Sequence, residues 1–237
     1  MRILGYIPAR GGSKGVPGKN KKMLAHQPLV AYAIKAAQMS HSISQVYVST
    51  DDEEIAEIAR RMGVDVPRLR PAELSQDASP VLDAIDSDVQ VLAAQGASFD
   101  FIAIIQPTNP FRPAGLIDAC AGKLLEANAD SIFTTVEVPQ KYNPHWVFEN
   151  DADGYLRLST GEESIITRRQ LLPPAFIRDG SVYIFRTSLL AQRTIYGQRI
   201  VGYDLGSTPI VNVDTPEDWE QAENMVEDFL KNNPAYL

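Results

Sequence analysis

Apolar positions in the first half of the chain recur with two alternating periods. "RILGYIPA" (2–9) and "QVYVST" (45–50) are short, β-branched runs that predict strands, and "PLVAYAIKAAQM" (28–39) between them has the three-to-four spacing of a helix. "DDEEIAEIARRMG" (51–63) is the clearest helix. Asp51 is placed to cap it, Glu54 follows three residues later, Ile55, Ile58, Ala59 and Met62 share one face, and Gly63 can end it. "SPVLDAIDSDVQVLAAQG" (79–96) repeats the device with Leu82, Ile85, Val89 and Leu92. "FDFIAIIQP" (99–107) is too continuously apolar for a strand with one wet face, so it predicts a central strand covered on both sides. Strand and helix in alternation imply right-handed crossovers and a three-layer α/β fold with a parallel sheet. Ligands of such sheets sit at the carboxyl ends of the strands.

The second half changes character. "SIFTTVEV" (131–138), "HWVFENDADGYLRLST" (145–160) and "SVYIFR" (181–186) predict strands, the middle one broken by the hairpin signal "NDADG". They suggest an antiparallel or protruding insertion over about 137–178 within a single domain spanning 1–237. The chain then returns through a strand-like "IVNVD" (210–214) into a helix opened by Thr215 as cap and Pro216 in the first turn.

Charge alters this picture at one place. The net charge is −8, so neither nucleic acid nor a membrane surface is the expected partner. Yet residues 1–50 hold seven Lys and Arg and no acid, against fifteen Lys and Arg and thirty acids in the remainder. "YIPARGGSKGVPGKNKK" (6–22) concentrates five of those cations with four glycines and two prolines. Such a loop after the first strand can bring backbone N–H groups close to an anion, with Arg10, Lys14 and Lys19 supplying charge for something the size of a triphosphate. A flexible basic turn is the plainer alternative. The spacing fits neither a P-loop, since Lys19 is followed by Asn20, nor a G-x-G-x-x-G fingerprint, which counts against an NTPase and a dehydrogenase. With one cysteine, Cys120, there is no internal disulfide framework; with no apolar run near eighteen residues, the chain reads as soluble and cytoplasmic. Cys120 is expected to be buried. His26, His41 and His145 are too dispersed for a metal constellation.

"IPARGGSKGVPGKN", "VSTDDEEIAEIA", "LRPAEL", "QPTNPFRP", "RRQLLPPAF", "DGSVYIF" and "VDTPED", in that order from Ile3 to about Met225, resemble the acylneuraminate cytidylyltransferases, the CMP-sialic acid synthetase group. The resemblance implies a Rossmann-like nucleotidyltransferase sheet and a homodimer in which the insertion helps close the partner's site. It also implies a reaction. The anomeric hydroxyl of a 2-keto sugar acid, of sialic or legionaminic type, attacks the α-phosphorus of CTP, and pyrophosphate leaves, supported by Mg²⁺ or by Mn²⁺ in its place. Positioning and charge neutralisation are the main demands of such a transfer.

Residue by residue, the resemblance gives Arg10, Gly11, Gly12, Ser13, Lys14, Lys19 and Asn20 to the phosphate loop, and Arg70 and Ser79 to the cytosine end. Gln106 corresponds to the glutamine facing the sugar acid, and Arg169 to an arginine for its carboxylate or its glycerol-like tail, where a guanidinium fork suits a carboxylate. Asp214 corresponds to the second acid of a D-x-D metal pair. Arg70 and Arg169 could instead be ordinary surface charges, and Gln106 a satisfied strand-end amide. Lys21 and Lys22 have no counterpart and read as solvated.

The pattern also departs from the family. Asn212 stands where the first metal acid belongs, so the site offers one anionic ligand fewer. Asp179 replaces an asparagine before Gly180, near where an acidic sugar would lie, and Trp146 stands near a lysine of some sialate enzymes, which leaves the acid open. Asp179 and Trp146 could equally be a turn former and a packed aromatic. Two other readings remain: a nucleotidyltransferase for another sugar or nucleotide, and a catalytically silent nucleotide-binding protein.

Overall fold

The computed structural model describes all 237 residues, Met1 to Leu237. Strand β1 (Ile3–Pro8) runs through a small ribbon of β2 (Met23–Leu24) and β3 (Gln27–Pro28) into helix α1 (Leu29–Met39), then β4 (Ile43–Ser49) and α2 (Glu53–Arg61). α3 (Val81–Ala94), β5 (Phe101–Ile104), α4 (Leu116–Glu126) and β6 (Ser131–Glu137) follow. β7 (Phe148–Asn150) and β8 (Leu156–Leu158) form a hairpin, and β9 (Phe176–Arg186), β10 (Ile200–Asp204) and α5 (Pro216–Asn232) complete the chain.

Six strands form one sheet in the order β10-β6-β9-β5-β1-β4. The pairs β1 with β4, β1 with β5 and β10 with β6 are parallel, while β9 runs antiparallel to both its neighbours. The sheet is therefore mostly parallel, with one reversed strand near its middle. The reversal follows from connectivity: β6 and β9 are joined at the carboxyl end of β6, with Glu137 opposite Phe176, and strands so joined must be antiparallel.

Both faces of the sheet are covered, as a continuously apolar β5 requires. Ile3 and Ile7 of β1 enter the larger core, shared with α1, α2, α4 and α5; Leu4 and Tyr6 enter a smaller one against α3. Cys120 lies fully buried on α4. No helix is long and apolar enough to cross a membrane.

Three local expectations need correction. The cap of α2 is Asp52, whose Oδ1 accepts the N–H groups of Glu54 at 2.8 Å and Ile55 at 3.3 Å; Asp51 is one residue too early and instead accepts the N–H of Gly11 at 2.8 Å. α3 begins after Pro80 with no side-chain cap, because the Ser79 hydroxyl donates to the Glu73 carbonyl at 2.7 Å. "IVNVD" is not a strand: the place beside β6 is taken by β10, and the segment's backbone tie is Val213 N–H to the Thr108 carbonyl at 2.8 Å. Helix α4 and strand β10 were not among the predicted elements. By contrast, Thr215 and Asp218 form a complete capping box at the start of α5.

Residues 138–175 leave the sheet between β6 and β9 and carry the β7–β8 hairpin, turned at Asp151–Gly154. This segment is tied to itself: Trp146 Nε1 donates to the Ile166 carbonyl at 2.6 Å, Asn143 Nδ2 to the Pro173 carbonyl at 2.9 Å, and His145 Nδ1 meets Glu162 at 2.9 Å.

Candidate active site

The loop after β1 is shaped by contacts that use its small and polar residues. Asn20 Nδ2 donates to the Arg10 carbonyl at 2.8 Å, drawing the two ends of the loop together. Gly15 lies so close to the Asp214 carbonyl that any Cβ would overlap it, so only glycine permits the loop to rest on the segment before α5. Lys19 spans the same junction, its Nζ 2.8 Å from both the Val213 carbonyl and Asp214 Oδ1. Two polar atoms of this loop, Ser13 Oγ and Asn20 Oδ1, are buried without a protein partner.

A carboxylate absent from the expected set faces the loop. Asp77 accepts from Arg10 at 2.6 Å and Lys14 at 2.5 Å. Lys14 first and then Arg10 hold its carboxyl below the usual aspartate range. Lys21 and Lys22, expected to be solvated, are both engaged: Lys21 bridges Asp52 and Glu54, and Lys22 Nζ lies 3.9 Å from the centre of the Trp219 ring.

In the same hollow Arg70 is buried, its Nε donating to Ser49 Oγ at 2.9 Å and Nη2 to the Ser49 carbonyl at 2.7 Å. At the carboxyl end of β5, the 106–112 segment is organised by Arg112. This side chain is fully buried and donates to the carbonyls of Gln106 at 2.6 Å, Asn109, and Ser181 at 2.6 Å. Burial pushes its pKa down to about 10, still a cation at neutral pH. Opposite, β9 bulges: Arg178 pairs with Thr135 and Tyr183 with Phe133, so four residues of β9 lie across from Thr134 alone. Gly180 in this bulge has φ +97°, and a Cβ there would meet the amides of Asn109 and Gln106 at 2.8 and 3.3 Å. Asp179 accepts from the hydroxyl and N–H of Ser181.

These parts line one cleft of about 820 Å³. It contains Arg10, Ser13, Lys14, Lys19, Asn20, Arg70, Ser79, Gln106, Asp179, Asn212 and Asp214 of the predicted set. Its five cations, with Arg178 the fifth, outnumber the acids Asp77, Asp179 and Asp214, so the hollow favours an anion although the protein is acidic. Gly11 and Gly12 do not line it, Gly11 being packed against Asp52 and Gly12 exposed. Arg169 is exposed on a single turn of the 138–175 segment and does not line it either. A smaller, more apolar hollow of about 420 Å³ between α1 and the carboxyl-terminal residues holds none of the predicted site residues.

At the rim, Asp214 carries Lys19 on one oxygen and the Asn212 amide, at 2.5 Å, on the other; Asn109 Nδ2 in turn donates to Asn212 Oδ1 at 3.2 Å. Asp214 is thus the one carboxylate at this rim and Asn212 Oδ1 the amide oxygen beside it, each already accepting N–H groups of the protein.

The family model for cytidylyltransferases matches residues 4–233. The chain belongs to the cytidylyltransferase family. It is 32% identical over 232 residues to the CMP-N,N'-diacetyllegionaminic acid synthase of Legionella pneumophila, covering 96% of this chain and 97% of that one. It is 34% identical over 226 residues to N-acylneuraminate cytidylyltransferase A of Danio rerio, covering 94% of this chain and half of that protein. Among solved structures, a CMP:2-keto-3-deoxy-manno-octonic acid synthetase complexed with CTP superposes with a TM-score of 0.71 over 96% of this chain and 99% of that one, at 14% identity. At that identity the likeness is one of fold. As a cytidylyltransferase the chain is a nucleotidyltransferase, and its basic cleft lies at the strand ends where such a sheet binds ligands.

Asp77, Arg112 and Arg178 are the cleft or cleft-forming residues that sequence reasoning missed. Arg112 stood within the quoted "QPTNPFRP", and an arginine in an otherwise apolar, proline-rich run was an available signal. Asp77 and Arg178 carried none.

Proposed function

We propose that this cytidylyltransferase transfers CMP from CTP to the anomeric hydroxyl of a 2-keto sugar acid of the sialic or legionaminic type. The sugar oxygen bonds to the α-phosphorus, the bond from that phosphorus to the bridging oxygen breaks, pyrophosphate leaves, and the hydroxyl proton passes to solvent. The observation that carries the reading is the charge of the cleft: Arg10, Lys14, Lys19, Arg70 and Arg178 line one hollow together with Gln106, just past the carboxyl end of β5, and in this reading the loop cations take the phosphates and Arg70 the cytosine end. Fixed cations beside developing phosphate charge are what this transfer requires. Relatives named for legionaminic and acylneuraminic acids support the acceptor class. Asp214, with Asn212 beside it, would hold Mg²⁺ or Mn²⁺ arriving with the nucleotide; the ion would supply charge neutralisation on the phosphate oxygens.

Phe148, Tyr155, Leu156, Leu171, Phe176 and Ile177 are all exposed on or beside the 138–175 segment, which supports a homodimer joined through it. Arg169 on that segment would then serve the partner's cleft, where its fork would meet the acid's carboxylate. A cytoplasmic setting accords with CTP as a substrate.

The test is pyrophosphate release screened over a panel of 2-keto sugar acids with each nucleoside triphosphate. Turnover is expected with CTP and a 2-keto acid. Activity confined to sugar 1-phosphates, or CTP binding without turnover at any Mg²⁺ or Mn²⁺ concentration, would reject the reading.

A further inference from the structure

Beneath the cleft, in the smaller core, lies a charged group with no place in the proposed chemistry. Asp88 of α3 is 1% exposed, yet it accepts hydrogen bonds from four side chains. Its Oδ2 takes the Tyr6 hydroxyl at 2.8 Å and the Ser49 hydroxyl at 2.6 Å; its Oδ1 takes the Tyr47 hydroxyl at 3.1 Å and Arg68 Nη2 at 2.9 Å. Burial first, and then the charge of Asp88, raise the pKa of both tyrosines, so each remains a donor at neutral pH. Arg68 neutralises the carboxylate. A carboxylate this deeply buried is costly and seldom improves on an apolar packing of the same volume.

Ser49 explains what the carboxylate does. A hydroxyl has one proton and two lone pairs, and Asp88 takes the proton. The Ser49 oxygen is thereby left as an acceptor toward Arg70, whose Nε–H points at it from 2.9 Å, while the Ser49 carbonyl accepts from Nη2 at 2.7 Å. One edge of the guanidinium, Nε with Nη2, is fixed to Ser49, and Nη1, with no protein acceptor, is left for the cleft that Arg70 lines. We propose that Asp88 and Ser49 are positioning residues for nucleotide recognition: the buried carboxylate sets the hydroxyl, and the hydroxyl sets the Arg70 fork that meets the base. The inference rests on the proposed reading of Arg70 as the nucleobase end of the cleft.

Ser49→Ala removes the acceptor and Asp88→Asn removes the charge that orients it. Tyr47→Phe deletes a bond to the same carboxylate on its other oxygen and so separates positioning from core stability. Calorimetric titration of CTP, steady-state kinetics with CTP and UTP, and thermal melting are run on the wild type and all three variants. Ser49→Ala and Asp88→Asn are expected to weaken CTP binding about tenfold or more, the scale of one hydrogen bond to a charged group, while kcat at saturating CTP changes less than about threefold. Their preference for CTP over UTP should fall, and Tyr47→Phe should keep the wild-type affinity while melting lower. Folded Ser49→Ala protein with wild-type affinity and nucleotide preference overturns the inference, and this variant alone decides the matter if Asp88→Asn does not fold. A wild type that binds a different triphosphate and ignores CTP overturns the proposed function instead. Weakening of that other ligand by Ser49→Ala would then still uphold the positioning role.

Discussion

Arg10 and Lys14 reach toward each other across a single carboxylate, Asp77, and on the proposed reading that carboxylate stands where a phosphate oxygen would. Both cations are held in place before any substrate arrives. Arg10→Ala or Lys14→Ala is expected to lower turnover about 10²-fold, since a preorganised donor meeting transition-state charge is worth roughly 2.7–4 kcal/mol. Circular dichroism should remain native, because an exposed ion pair adds little to stability; wild-type turnover in both variants would remove the loop from the chemistry. Asp214 and Asn212 give the second expectation at this scale. Asp214→Asn should abolish metal-supported turnover, whereas Asn212→Asp should be tolerated and should lower the Mg²⁺ concentration for half-maximal rate, because a hard cation gains from an added anionic oxygen. A rate titration against Mg²⁺ decides it, and the reverse pattern would mean the ion is held elsewhere. The loop cations were legible because they lie within ten residues of one another. Asp77 was not, because its partners are more than sixty residues away and nothing in "LSQDAS" announces them.

Between residue and molecule stand the ends of elements, where most of the cleft is built. The Asp218 carboxylate accepts the N–H groups of both Asp214 at 3.0 Å and Thr215 at 2.8 Å, so the cap of α5 also holds the backbone from which Asp214 projects. Asp218→Ala should therefore act twice. It should cost about 1 kcal/mol as a lost cap, or roughly 3 °C in Tm for a chain of this size, and it should raise the Mg²⁺ requirement. Thr215→Ala, which removes the other half of the box, should match the stability loss with a smaller effect on Mg²⁺; equal effects on both would reduce the cap to a helix signal. The Thr215 cap was readable because Pro216 and a run of acids follow it, whereas the Asp218 half of the box was not named from the sequence. Helix α4 escaped because Gly115 begins it with no side-chain cap, although Leu116, Ile117, Cys120, Ala121 and Leu124 keep a helical spacing. β10 escaped because it is short, half exposed and interrupted by Gly202. "IVNVD" misled because alternation records burial, here of Val211 and Val213, and not which neighbour supplies the hydrogen bonds.

Over the whole molecule, acid stability follows from carboxylates that join separate elements. Burial alone would raise the carboxyl of Asp52, but the Lys21 ammonium and the first amides of α2 outweigh it. Burial likewise favours a rise at Asp118 on α4, and the hydroxyls and amides of residues 40–42 overcome it. The amides of Asp214 and Thr215 lower Asp218. Each group has a folded pKa below its unfolded one, so its contribution is complete above the unfolded value and is lost as pH falls through the folded value. Tm should be nearly level from pH 7 to 5 and fall below about pH 4, the ordinary aspartate range; a Tm unchanged at pH 3 would contradict these assignments. Layering and a mostly parallel sheet were legible at this scale because period and connectivity dictate them. The place of β9 in the sheet was not, since it depends on which slot remains open between β5 and β6.

That slot bears on how the chain reaches its native state. On a ribosome, β1, β4 and β5 emerge and can pair among themselves, and β6 follows, but β5 and β6 share no hydrogen bond. They become one sheet only when residues 176–186 arrive and insert between them, after the whole 138–175 segment has been made. Until then β5 keeps an unpaired edge and β6 has no strand partner at all, and unpaired edges of this kind are where nascent sheets pair with the wrong neighbour. The strand whose bulge shapes the cleft is thus also the last central piece of the sheet to be synthesised, so the cleft cannot take form before β5 and β6 are joined.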